Sequence, residues 1–161
     1  MALPEQRRLR SLDHIGIAVH DIDAALPYYT GELGLELAHR ELLAEIATEL
    51  AYLDGGGAAI QLVAPSGPGR IATFLEAHGE GLHHVCFAVD ELQESVEALS
   101  ARGQDTVFLG GRGRRACFLS HHPNGVLIEL TESQSRPPAQ AAVLRPQEPL
   151  NSSSTQPEEC S

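Results

Sequence analysis

The chain alternates apolar and polar positions in one order of periods, and it does so twice. Leu12-Asp13-His14-Ile15-Gly16-Ile17-Ala18-Val19 is a strand-length apolar run, and Leu82-His83-His84-Val85-Cys86-Phe87-Ala88-Val89 repeats it with a histidine at the same place. Both runs are apolar enough to be buried on both faces of a sheet. After the first, Asp21 or Asp23 caps a helix that runs to about Leu33 and is stopped by Gly34. Pro27 removes a hydrogen bond inside that helix and predicts a kink or a late start. Three strands follow near 36–43, 47–53 and 58–63, with Asp54-Gly55-Gly56-Gly57 as the turn between the last two.

Residues 64–81 read as a bridge, a Pro/Gly loop followed by a short helix over Arg70 to Ala77. Residues 82–132 then repeat the order of 12–63. The helix near 91–101 places Leu92, Val96 and Leu99 on one face, Gly103 ends it, and strands follow near 105–109, 115–120 and 125–131. Strand, helix and three strands, twice over, make an α+β fold. Residues 1–11 read as a loose N-terminus. From 133 to 161 Pro, Gln and Ser dominate and the periodicity is lost. Such a segment cannot bury enough surface to offset its ordering entropy, so it reads as a disordered tail.

The repeat brings chemistry with it. Each module closes on a second echo, Ala59-Ile60-Gln61-Leu62 and Leu127-Ile128-Glu129-Leu130. His14 and His84 therefore occupy equivalent positions, and so do Gln61 and Glu129. Taken singly, each histidine is better explained as a hydrogen-bonded core residue than as a ligand, and Gln61 could bond to backbone. Glu129 is harder to place that way, because a carboxylate between Ile128 and Leu130 is costly to bury unless it is paired or bound to metal. Packed about a pseudo-twofold axis, the four would surround one point with two nitrogen and two oxygen donors, which suits a divalent cation. His83, next to His84, is expected on the opposite face of its strand.

Composition narrows the partners. A net charge of -11 over 161 residues argues against nucleic acid. No run approaches the length of a membrane span and no signal peptide pattern opens the chain. Three scattered cysteines, Cys86, Cys117 and Cys160, form no disulfide framework, so a reducing cytoplasm is the expected compartment. Cys86 reads as a small buried thiol, with soft-ligand chemistry as the alternative. Gly110-Gly111-Arg112-Gly113-Arg114-Arg115 is the one locally basic, glycine-rich stretch; it reads either as a solvated hairpin turn or as a holder of phosphate oxygens.

These residues resemble the vicinal oxygen chelate superfamily, and within it the methylmalonyl-CoA epimerase family. Ile71-Ala72-Thr73-Phe74-Leu75-Glu76-Ala77-His78-Gly79-Glu80-Gly81-Leu82-His83-His84 is similar to that family's bridging helix and following strand; Asp13 to Val19 and Gly125 to Leu130 are similar too. The resemblance covers residues 12–132. It implies paired βαβββ modules in an open, cup-shaped mixed sheet around a metal. It implies His14, Gln61, His84 and Glu129 as ligands of a divalent ion, cobalt, manganese, nickel or zinc. It implies Glu45 and Glu129 as the acid/base pair for proton transfer on methylmalonyl-CoA or a related branched malonyl thioester, in a homodimer. The family usually has Glu-Gln-Gly-Val where this chain has Glu45-Ile46-Ala47-Thr48, and Glu49 competes as the base. Ser120-His121-His122-Pro123-Asn124-Gly125 is shorter than the family's loop; His121 and His122 read as cup-mouth residues or as an exposed turn. A glyoxalase-type lyase is the enzymatic alternative. A drug-sequestering binding protein is the non-enzymatic one, although only 4% of residues are aromatic, which makes a stacking pocket hard to build.

Overall fold

The computed structural model describes residues 11–133 except Pro123. The predicted loose N-terminus up to residue 10 and the predicted tail from 134 onward lie outside the described residues. Eight strands form one mixed sheet in the order β2-β3-β4-β1-β5-β8-β7-β6, with three helices packed against it. The first module supplies β1 (Ser11–Ala18), α1 (Ile22–Pro27), β2 (Glu36–Leu43), β3 (Thr48–Asp54) and β4 (Ala59–Pro65). The bridge supplies α2 (Arg70–His78). The second module supplies β5 (Gly81–Val89), α3 (Leu92–Ser100), β6 (Thr106–Gly111), β7 (Arg114–Leu119) and β8 (Leu127–Glu132).

Each module has the same internal pairing. Its first strand runs parallel to its last, β1 with β4 and β5 with β8, and the others are antiparallel hairpins. The modules join where β1 meets β5 antiparallel. The sheet is open, with β2 and β6 at its two edges. It curls so that the turn between β6 and β7 reaches the first module, where the Arg112 N–H donates to Glu41 of β2 at 2.5 Å.

The predicted elements fall where the apolar periods put them. Asp21 caps α1, its carboxylate accepting from the Ala24 N–H at 3.1 Å. Pro27 distorts the helix as expected: the next turn, Tyr28–Glu32, widens to a π-helical one in which the Leu33 N–H reaches the Tyr28 carbonyl. In the second module Leu92 and Val96 of α3 bury against Val89, Cys117 and Leu130. Ile71 and Leu75 of α2 pack on Leu50, Tyr52 and Val63, so the bridge forms one wall of the cup. Among the described residues no helix is long and apolar enough to cross a membrane.

Candidate metal centre and its cavity

The site lies on the four central strands, and strand register explains its composition. One row across the sheet runs Ala59, His14, Cys86, Glu129; the next runs Gln61, Gly16, His84, Leu127. Each row holds two polar donors flanking one small residue, Cys86 or Gly16. The rows are two residues apart along each strand, so they share a face. The four predicted donors are therefore brought to one patch. All are buried: His14 and His84 at 3% exposure, Gln61 at 4% and Glu129 at 7%.

Gly16 is indispensable to this arrangement. A Cβ there would lie 2.1 Å from Cε1 of His84, so the imidazole occupies the space a side chain would take. With that room, His14 Nε2 and His84 Nε2 stand 3.0 Å apart. Glu129 Oε2 lies 3.1 Å from the first and 3.3 Å from the second.

The β1–β5 ladder is broken at two places, and each break adds a residue beside a histidine. Leu12 pairs with Phe87 and His14 with Cys86, which leaves Asp13 as an extra residue on β1. Gly16 pairs with His84 and Ile17 with Leu82, which leaves His83 as an extra residue on β5. Such a bulge breaks the in–out alternation. The expectation that His83 points to the opposite face from His84 is thereby overturned. His83 lines the same cavity, with Nδ1 2.8 Å from Nδ1 of His84 and its ring against Phe74. Burial first, and then the neighbouring His84, hold His83 down at about 4, so it stays neutral. On the other strand, Asp13 Oδ1 sits 2.7 Å from His14 Nδ1.

Those contacts decide which ring nitrogens are free. His14 Nδ1–H faces a carboxylate, which leaves Nε2 with a lone pair. With the His84 Nδ1–H donated to His83, the same holds for His84 Nε2. Glu129 Oε2 is buried without a hydrogen bond, and so is Gln61 Oε1, because the Gln61 amide is turned with Nε2 donating to the Tyr52 hydroxyl at 2.6 Å. Buried oxygens without a hydrogen-bond partner, beside two imidazole lone pairs, are costly unless a cation sits among them. The carboxylates and imidazoles also shift one another's titration. Burial alone would push Glu129 up, but His14 and His84 beside it bring it down to about 2. Burial would lower His14, and Asp13 and Glu129 raise it instead. The residues fit a divalent ion held by two imidazoles and two oxygens. A second cluster, Asp13, His14 and Cys86, is also close enough to hold a metal. It is the poorer one. Asp13 is ion-paired to Arg112 and Arg114, and burial pushes the Cys86 thiol up, away from the thiolate a metal needs.

Gln61, His84 and Glu129 open into a cavity of about 460 Å³ walled by Leu50, Val63, Ile71, Phe74 and Leu127, with His14 behind that lining. Arg70, His78 and His122 also line it, and among the described residues Glu129 is its one carboxylate. Glu45 stands outside the cavity lining. It is exposed on the one-turn helix Ala44–Ile46, and the neighbours Leu43, Ile46 and Thr48 line the cavity instead. Glu49 points away and accepts from Arg40 Nε at 2.7 Å. His122 reaches the cavity lining while remaining exposed.

Sequence reasoning missed Asp13, Tyr52, Arg112 and Arg114. The basic 110–115 stretch was visible, but Arg112 and Arg114 are not solvated turn residues: both are partly buried against Asp13. Arg114 donates to both Asp13 oxygens at 3.0 and 2.9 Å, and Arg112 bonds the same carboxylate. Burial favours a neutral Asp13, and the bonds from His14 and Arg114 outweigh it and keep it ionised.

Gly16→Ala is the sharpest probe of this packing. The added methyl must displace the His84 ring, and Co²⁺ affinity measured by titration is expected to fall at least about 10-fold. An unchanged affinity would mean that His84 does not need the space above Gly16.

Residues 13–118 match the model of the Glyoxalase/Bleomycin resistance protein/Dioxygenase superfamily. The chain is 35% identical over 130 residues to the uncharacterized protein YqjC of Bacillus subtilis, covering 77% of this chain and 93% of that one. It is 31% identical over 134 residues to the mitochondrial methylmalonyl-CoA epimerase of Homo sapiens, covering 78% and 75%. Among solved structures it is similar to a Streptomyces coelicolor methylmalonyl-CoA epimerase in complex with 2-nitronate-propionyl-CoA, with 33% identity and a TM-score of 0.72, covering 80% of this chain and 97% of that one. Paired βαβββ modules, a donor set shared between them and these matches agree: the chain belongs to the glyoxalase/bleomycin resistance protein/dioxygenase superfamily.

Proposed function

We propose that this protein is a metal-dependent epimerase that interconverts the 2R and 2S forms of methylmalonyl-CoA or a related branched malonyl thioester. One observation carries the reading: the Nε2 atoms of His14 and His84 and Oε2 of Glu129 converge within 3.0 to 3.3 Å, and His84, Gln61 and Glu129 line one cavity. The relatives support the substrate class. The same reading makes it a cytoplasmic homodimer.

The proton between a thioester and a carboxylate is too weakly acidic for an unaided carboxylate base. When bound, a divalent ion held by His14, Gln61, His84 and Glu129 supplies Lewis acidity at the thioester end of the substrate. The chain's residues do the rest. Apolar walls keep water from the reacting carbon. Arg70, His78 and His122 leave the lining poor in negative charge, which suits an anionic ligand. Removal of the Cα proton by a carboxylate leaves a planar enolate, and inversion needs a proton returned to its other face. Glu129, among the donors, and Glu45, between the cavity-lining Leu43 and Ile46, are the two proposed carriers.

Proton exchange tests the reaction directly. In deuterated buffer the Cα proton of methylmalonyl-CoA is expected to exchange, followed by NMR, and chelator is expected to stop it. A metal-loaded protein that gives no exchange would point to a lyase acting on another substrate. Glu45→Gln is expected to slow epimerisation by about 100-fold or more while leaving metal content intact. Normal turnover in that variant would remove Glu45 from the mechanism.

A further inference from the structure

Arg112 stands outside the cavity lining, yet it touches the supports of both first-module donors. Its guanidinium bonds Asp13, whose carboxylate holds His14 Nδ1. The same guanidinium lies 4.1 Å over the ring of Tyr52, whose hydroxyl accepts from Gln61 Nε2 and so keeps Oε1 turned the other way. Asp13 and Tyr52 are therefore both fixed by one side chain, and that side chain comes from the second module. The turn is built to reach them. Gly111 has no side chain where a Cβ would lie 2.6 Å from the Tyr52 hydroxyl, and the Arg112 N–H is anchored on Glu41. Arg112 also sits at φ 55, followed by Gly113 at φ 66. A two-residue turn with both central residues left-handed favours Asn-Gly, and an arginine in the first place is strained there. Local preference does not explain the residue; its two contacts do.

We propose that Arg112 is a positioning residue. It clamps Asp13 and Tyr52 together, and through them it orients His14 and Gln61 for a metal ion, making the first module's half of the site depend on the second module's hairpin. The inference rests on the reading that these residues hold a metal. It differs from a purely structural role in a way that Arg112→Asn separates, because asparagine relieves the turn while removing both contacts.

The test is a Co²⁺ titration of the full chain followed by its visible spectrum, with melting of the metal-free protein alongside. Metal-free Arg112→Asn is expected to melt at or above the parent temperature, yet to bind Co²⁺ about 10–100-fold more weakly with altered bands. Arg112→Lys, which keeps the charge but not the planar fork, is expected to recover part of the affinity. Arg115→Asn, which removes a guanidinium from the same hairpin but not from Asp13 or Tyr52, is expected to bind like the parent. Equal affinity in Arg112→Asn and the parent would overturn the clamp alone. A lowered melting temperature matching the affinity loss, with Arg112→Lys no better, would overturn it in favour of general destabilisation. A parent protein that binds no Co²⁺ would overturn the metal reading and the clamp with it.

Discussion

The contact on which everything else depends is the antiparallel pairing of β1 with β5. Among the described residues it is the only strand pair that joins the two modules, and it carries one histidine from each side. Because the histidines are two residues out of direct register, each sits opposite a small residue of the other strand, His84 opposite Gly16 and His14 opposite Cys86. Each imidazole thus finds room over the neighbouring strand. The parallel partners β4 and β8 then deliver Gln61 and Glu129 to the outer ends of the same two rows. A shift of one residue in this pairing would move the histidines to the other face and dismantle the site.

Packing charges at the seam of two modules has an electrostatic cost, met by a chain of partners. Glu129 is stabilised by two imidazoles and Asp13 by two guanidiniums and an imidazole. The two bulges make the histidines' supports unlike. At equivalent positions of the repeat, His14 is backed by an anion and His84 by a neutral imidazole. An anionic partner makes His14 the more strongly donating of the two rings. The symmetry of the fold thus carries an asymmetric site.

Much of this was legible in the chain. Element order followed from apolar periods and turn residues, and the gathering of His14, Gln61, His84 and Glu129 on one patch followed from their equivalent places in the repeat. What was not legible depended on bulges and on closure of the cup. His83 was assigned to the wrong face because alternation assumes an unbroken ladder, and nothing local announces an extra residue at 83 or 13. Arg112 was visible only as part of a basic stretch, since its partners Asp13 and Tyr52 lie far away in sequence. Glu45 was placed by resemblance, and the structure puts it on an exposed turn beside the cavity wall.

The central claim is that one cation is held jointly by both modules. X-ray absorption at the metal edge of the Co²⁺- or Zn²⁺-loaded protein tests it most directly. One ion per chain, bound by two imidazole nitrogens with oxygen donors completing the shell and no sulfur, is the result this account requires. A sulfur scatterer would place the ion in the Asp13, His14 and Cys86 cluster instead, and a single imidazole would mean that the modules do not share it.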